Sequence, residues 1–168
     1  KEAIAKIKAM GIKTYMLTGD NSTVAKNVAQ KLGIDEFRAE LLPEDKLKAI
    51  EEIKKSCAKL AMVGDGVNDA PSLASSDVGY SVASGTDVAL EASDISLLNN
   101  SIGGVARALE LSRAAMKIIK ENLFWAFFYN VVGIPFAILG LLTPMLAGTA
   151  MAFSSVCVVT NSLRLRYK

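Results

Sequence analysis

Leu60-Ala61-Met62-Val63-Gly64-Asp65-Gly66-Val67-Asn68-Asp69-Ala70-Pro71 is the stretch whose reading decides the fold. The apolar run 60–63 reads as a buried strand. Residues 65–71 read as the loop that leaves this strand and opens a helix. Two carboxylates four residues apart, Asp65 and Asp69, then stand at the C-terminal end of a strand, where open α/β sheets bind their ligands. Paired carboxylates there suit Mg²⁺, a hard cation that takes one or two protein oxygens beside phosphate oxygens. A plain turn needs only the Gly-Asn-Asp part of the string.

Outward from this loop the chain alternates. Residues 2–10 place Ile4, Ile7 and Met10 at helical spacing, with Gly11 closing the helix. Residues 14–17 are β-prone and run into the loop Thr18-Gly19-Asp20-Asn21. Asn21 or Ser22 caps the next helix, whose expected inner stripe is Val24, Val28 and Leu32 and whose end is Gly33. A short strand over 37–39 follows. Pro43 opens a helix where its missing N–H costs nothing, with Leu47, Ile50 and Ile53 inward. Further short strands are expected over 78–82 and 94–98. The β-α-β-α-β order predicts a parallel sheet with helices on both faces.

Charge divides the 168 residues sharply. All 17 acidic residues lie at or before Glu121, and no charged residue occurs from Asn122 to Leu163. The net charge of +2 gives no reason to expect a nucleic-acid partner. Cys57 and Cys157 fall on opposite sides of the divide, and with no Cys-x-x-Cys and no histidine, zinc-finger and haem readings fail. From Ile102 an amphipathic helical pattern continues without a breaker into the run 123–142, about the length that crosses a hydrocarbon core. Thr143-Pro144 marks a turn, and 145–163 is a second such run. Arg113, Lys117 and Lys120 precede the pair, and Arg164, Arg166 and Lys168 follow it. The positive-inside rule puts both flanks in the cytoplasm and makes the pair a hairpin. The expected divisions are a sheet domain over 1–101, a helical connector over 102–121, and a hairpin with its tail over 122–168.

Three strand-end features carry phosphoryl chemistry. Thr18 can offer a hydroxyl and a backbone N–H to a phosphoryl oxygen. Lys46, in the first turn of the Pro43 helix, brings a point charge. Asp65 and Asp69 can hold Mg²⁺, and Asn68 can donate an amide hydrogen bond. Phosphoryl transfer needs positioning and charge stabilisation from such groups more than covalent chemistry.

Thr18-Gly19-Asp20-Asn21, the turn from Pro43 to Lys46, and Asp65 to Pro71 resemble the last three phosphorylation-domain motifs of the P-type ATPases, whose domain is similar in fold to the haloacid dehalogenases. The resemblance implies that Thr18, Lys46 and Asn68 bind the phosphoryl group, that Gly19 and Asp20 belong to the same catalytic loop, and that Asp65 with Asp69 ligates Mg²⁺. It covers essentially the whole chain. It implies ATP as phosphoryl donor, and as partners a lipid bilayer, a copper chaperone, and the nucleotide-binding domain, actuator domain and remaining membrane helices of a longer protein. The chain begins at Lys1 and contains no Asp-Lys-Thr-Gly, so the expectation is a C-terminal portion, inactive alone.

Tyr129-Asn130 lies about 10 Å into the first run by helical rise, and Met151 and Ser155 share one face of the second. An antiparallel arrangement puts Ser155 within roughly 5 Å of Asn130's depth. A thioether suits Cu(I). Singly, Asn130 or Ser154 reads as interhelical hydrogen-bond glue and Met151 as filler. Together, Tyr129-Asn130 and Met151-x-x-Ser154-Ser155 resemble the copper-transporting branch of the family, which implies Cu⁺ at Tyr129, Asn130, Met151 and Ser155 in a plasma-membrane pump. Zinc pumps of the family would place charged or histidine ligands there. The long helix from Ile102 is the expected rigid link between the two chemistries. The competing expectations are a membrane-anchored phosphatase of the same superfamily and a non-catalytic fragment.

Overall fold

A computed structural model describes residues 1–64, 67–82, 91–97, 101–141 and 143–167. They form two compact units, Lys1–Ala108 and Leu109–Lys168.

The first unit follows the alternation expected of it. Helix α1 (Glu2–Ala9) buries Ile4 and Ile7. Strand β1 (Tyr15–Leu17) leads into α2 (Ser22–Leu32), whose N-terminus is capped by Asn21 Oδ1 accepting from Val24 N at 2.9 Å. Gly33, with φ of 77°, ends α2, and the N–H of Ile34 returns to Ala29 O at 2.9 Å. Strand β2 (Glu36–Arg38), helix α3 (Pro43–Ser56) and strand β3 (Ala61–Gly64) come next. A one-turn 3-10 helix (Val67–Asp69) opens α4 (Ala70–Ser75), and β4 (Val78–Ser81) and β5 (Ile95–Ser96) close the set.

Every strand pairing is parallel, as crossovers through helices require. The expected single sheet is resolved into two: β1 with β2, and β3–β4–β5. In the first, Tyr15 is level with Glu36; in the second, Ala61 is level with Val78. β1 and β3 do not pair with each other, so each is paired on one side only among the described residues.

The core holds Ala25 and Ala29 of α2, Ala49, Ile50 and Ile53 of α3, and Leu73, Tyr80, Val105 and Ala106. Ile50 and Ile53 lie inward as the periodicity predicts, but Val24 and Val28 stay exposed. Their neighbours Ala25 and Ala29 are buried instead, because a methyl side chain lets α2 approach the sheet closely.

Two carboxylates tie elements together. Asp77 accepts from Leu60 N at 2.9 Å and lies 3.2 Å from Lys59 and 3.7 Å from Lys54. The Leu60 N–H, then the two ammonium groups, hold its carboxyl below the usual carboxylate range. Asp35 is likewise held low by Lys8 and by the N–H and hydroxyl of Thr14.

The second unit contains most of α5 (Ile102–Ile138), all of α6 (Pro144–Leu163) and a 3-10 turn (Arg164–Tyr167). Helix α5 ends four residues before the expected limit of its apolar run, because Gly140, with φ of 69°, turns the chain. Its N–H reaches Ala137 O at 3.1 Å and that of Leu141 reaches Phe136 O at 3.0 Å, a Schellman closure. Thr143 caps α6 by accepting from Leu146 N.

Among the described residues one helix, Met145–Arg166, is long and apolar enough to cross a membrane. The first expected span does not stand beside it by this measure, since Gly140 shortens it and Asn122, Tyr129, Asn130 and Pro135 dilute its apolar residues. Phe124, Phe127, Val131, Ile134 and Ile138 are nonetheless exposed around α5, as Met151, Phe153 and Val156 are on α6.

Candidate functional site

Thr18 follows β1 directly, and its N–H extends the β1–β2 ladder by donating to Arg38 O at 3.0 Å. Its Oγ1 donates to Asp20 Oδ2 at 2.9 Å and accepts from Asp20 N at 3.1 Å, so the loop closes on itself. A second layer holds this loop. Glu40 N donates to Asp20 O at 2.8 Å, and Leu41 N donates to Thr18 O at 3.1 Å. Glu40 has φ of 58°, a left-handed conformation rare for a residue with a Cβ. It also accepts from Ser22 N at 3.2 Å, satisfying one of the free donors at the start of α2. Gly19 is not sterically required, since a Cβ there would meet Leu41 O at an ordinary 3.4 Å.

Leu41 leads through Leu42 into α3. With Pro43 at the helix start, Lys46 falls in the first turn, its N–H bonded to Leu42 O at 3.0 Å. Its Nζ lies 2.9 Å from Asp69 Oδ1, and the two side chains are only 20% and 14% exposed. The pair joins the first turn of α3 to the turn that follows β3. A pair this sheltered is costly to leave half-made, because the remaining charge loses its partner in a poorly solvated place.

Gly64 makes Asp69's position possible. A Cβ on Gly64 would stand 2.8 Å from Asp69 Cβ, closer than carbon atoms pack, so only glycine fits at the end of β3. Asn68 is exposed in the 3-10 turn. Asp65, the expected principal Mg²⁺ ligand, lies outside the described residues. Among the described residues no group of three or more histidine, cysteine or acidic side chains gathers to hold a metal. Asp69 retains Oδ2 outside its bond to Lys46. That hard oxygen at a strand end fits Mg²⁺ as one donor of a set completed by other groups.

The structure thus brings Lys46 and Asp69 together, links Thr18 to the same helix start through Leu41, and leaves Asn68 free at the surface. Sequence reasoning missed Glu40 and Leu41. A left-handed glutamate leaves no mark in composition or periodicity.

Of the four expected copper residues in the second unit, Tyr129 lies against Trp125 and Phe128 of its own helix, its ring centroid 6.3 Å from each of theirs. Asn130, Met151 and Ser155 are exposed. Asn130 Nδ2 donates to Ala126 O at 2.9 Å, and Ser155 Oγ donates to Met151 O at 3.0 Å. These polar groups are satisfied within their own helices, so Asn130 is not glue between α5 and α6. Ser154 is partly covered, on the stripe of α6 that also carries Val158 and Asn161.

Comparison with known proteins gives this geometry its context. Residues 1–77 match the haloacid dehalogenase-like hydrolases. The chain is 50% identical over 165 residues to a probable copper-exporting P-type ATPase V of Mycobacterium tuberculosis, covering 98% of the chain and 21% of that protein. It is 48% identical over 170 residues to a probable copper-importing P-type ATPase A of Enterococcus hirae, covering 100% of the chain and 23% of that protein. Among solved structures, a zinc-transporting PIB-type ATPase in its E2.Pi state matches with a TM-score of 0.88 and 41% identity, over 98% of the chain and 27% of that structure. The chain therefore spans about a fifth of the length of the curated relatives it matches.

Proposed function

From the premise that residues 1–77 belong to the haloacid dehalogenase-like hydrolases and that the chain's homologues are copper P-type ATPases, we propose that it is the phosphoryl-binding and last membrane-spanning part of a Cu⁺-exporting pump. In the complete protein, ATP phosphorylates an aspartate carried outside this chain, and the chain alone is inactive. The observation that carries the reading is the Lys46–Asp69 pair, which sets a cation beside the turn leaving the C-terminal end of β3.

Each group then has a task. The Thr18 N–H already serves the ladder, so its hydroxyl is the group free to turn from Asp20 toward a phosphoryl oxygen. Lys46 neutralises developing charge on the phosphoryl group. Asp69 aims the ammonium and excludes other rotamers of it. Asp65 and Asp69 would hold Mg²⁺, which supplies charge neutralisation at the phosphoryl oxygens. Asn68, exposed on its turn, is free to meet a phosphoryl or nucleotide oxygen. Among the described residues β1 and β3 are each unpaired on one side, and a further parallel strand there would deliver a carboxylate nucleophile to the strand ends.

The membrane part reads as follows. Met151, Ser155 and Asn130 are exposed and so open to further helices of the complete protein. A thioether with neutral oxygen donors favours Cu⁺ over Zn²⁺, and no histidine or charged residue occurs between Asn122 and Leu163. The apolar exteriors of both helices fit a bilayer, with the soluble unit and the C-terminal tail in the cytoplasm at the plasma membrane.

The test is phosphorylation of the complete protein by ATP. Asp65→Ala is expected to abolish it, and Met151→Leu to remove its dependence on Cu⁺. Normal Cu⁺-dependent phosphoenzyme in both variants contradicts the proposal.

A further inference from the structure

At the base of the helix pair, five polar residues close a ring that neither the phosphoryl chemistry nor the copper residues use. Asn161 Nδ2 donates to Asn122 Oδ1 at 2.9 Å and to Glu121 Oε2 at 3.2 Å. Arg164 Nη1 donates to Asn161 Oδ1 at 2.9 Å and lies 3.6 Å from Glu121. Asn122 Nδ2 donates to Ser162 Oγ at 3.0 Å. Asn161 thus uses both ends of its amide, and each helix contributes donors and acceptors. Three of these side-chain hydrogen bonds join α5 to α6 directly.

Such a ring fixes register. The partly covered residues of α5 and α6 above it are small or apolar: Ala126 and Gly133 on α5, Ser154 and Val158 on α6. Apart from the Ser154 hydroxyl, these side chains offer no hydrogen bond that would fix the register. A slip of one residue, about 1.5 Å, would break several bonds of the ring at once and leave amides without partners.

The register has a consequence eight residues further on. Asn130 stands eight residues after Asn122, and eight residues before Asn161 is Phe153. At about 1.5 Å per residue, Asn130 is therefore level with residues 153–154, some 12 Å from the ring. Ser155 and Met151 each lie within about 3 Å of that level.

We propose that the Glu121–Asn122–Asn161–Ser162–Arg164 ring is a positioning device. It locks α5 against α6 so that Asn130, Met151 and Ser155 share one depth, which makes Asn161 and Arg164 positioning residues for metal binding. The metal half of this inference rests on the copper reading above; the register half does not.

The experiment uses the complete protein in lipid and has two arms. In the first, Ala126→Cys is introduced opposite native Cys157, four residues after Asn122 and four before Asn161, and the rate of oxidative cross-linking is measured. Asn161→Leu in that background is expected to slow cross-linking at least several-fold. In the second arm, Asn161→Leu in the otherwise native protein is expected to raise the Cu⁺ concentration for half-maximal phosphorylation by ATP about tenfold. Phosphorylation by inorganic phosphate with Mg²⁺ in the absence of Cu⁺ should stay unchanged and so reports an intact fold. Asn161→Gln, which keeps both ends of the amide, should recover part of the copper response. Should Asn161→Leu misfold, Ser162→Ala is expected to shift both readouts in the same direction by a smaller factor. Unchanged cross-linking overturns the lock. Slowed cross-linking with an unchanged Cu⁺ requirement overturns its role in metal binding. If the native protein itself ignores Cu⁺, the copper reading fails, and the cross-linking arm still decides the register.

Discussion

The two units of this chain solve opposite problems. In Lys1–Ala108 the apolar side chains turn inward, and in Leu109–Lys168 they turn outward. Among the described residues, all of the buried apolar ones except Ile118 belong to the first unit, while Phe124, Phe127, Val131, Ile134, Met151 and Phe153 stand exposed in the second. Polar groups follow the same inversion. In the first unit they bridge distant elements, as Asp77 and Lys46 do. In the second, Asn130, Thr149 and Ser155 bond to carbonyls of their own helices, and the bridging bonds gather at the Asn122–Asn161 end. One unit is built against water, and the other requires an apolar surrounding to be supplied.

The largest expected break in this contrast is at Lys46. Lys46→Ala in the complete protein should lower phosphoenzyme formation from ATP by roughly 10²–10³-fold, the usual cost of losing one charge-stabilising group. It should leave the membrane helices unaffected, as read by Cu⁺ binding. Next comes a matched pair of lysine substitutions. Val131→Lys on α5 should weaken membrane insertion by about 2.5–3.5 kcal/mol in a glycosylation-mapping assay. Val24→Lys, on an exposed position of α2, should change stability by no more than about 0.5 kcal/mol. Equal tolerance at both positions would erase the contrast between the units.

Gly64→Ala is expected to cost about tenfold or more in phosphorylation, since a misplacement on the order of 1 Å at a catalytic group is enough for that. The new methyl group must push Asp69 away, and with it Lys46. A variant of normal activity would show that Asp69's position does not matter.

The smallest effect is a pH dependence. Asp77 has its folded-state pKa depressed, so the stability it contributes is present above the unfolded carboxylate pKa, about 3.9, and is lost as pH falls through the lower folded value. Amide exchange at β3 and β4 should therefore speed up relative to global exchange as pH drops below about 4, and Asp77→Asn should flatten that response.

Local features were legible in the sequence, and long-range ones were less so. Asn21, Gly33 and Pro43 mark helix ends because capping chemistry is written in single residues. Ile50 and Ile53 follow from helical period. The inner stripe of α2 was misassigned to Val24 and Val28 because periodicity finds the apolar arc but not its most closely packed edge, which small Ala25 and Ala29 occupy. The split into two sheets was not legible, since strand pairing depends on residues far apart in sequence. Lys46 and Asp69 were each legible as chemistry, yet their pairing across 23 positions was not. Gly140 ended α5 early because a left-handed glycine outweighed a continuing apolar run. The ring around Asn161 went unnoticed because single asparagines at helix ends carry no pattern.

The measurement that tests the account most directly is the metal dependence of phosphorylation in the complete protein carrying this chain. With ATP and Mg²⁺, the account predicts an acid-stable, hydroxylamine-sensitive phosphoenzyme that forms with Cu⁺, does not form with Zn²⁺, and is lost in Lys46→Ala. Mg²⁺-dependent phosphate release that ignores Cu⁺ and is unchanged by Met151→Leu would contradict it, and would describe a phosphatase tethered to a membrane.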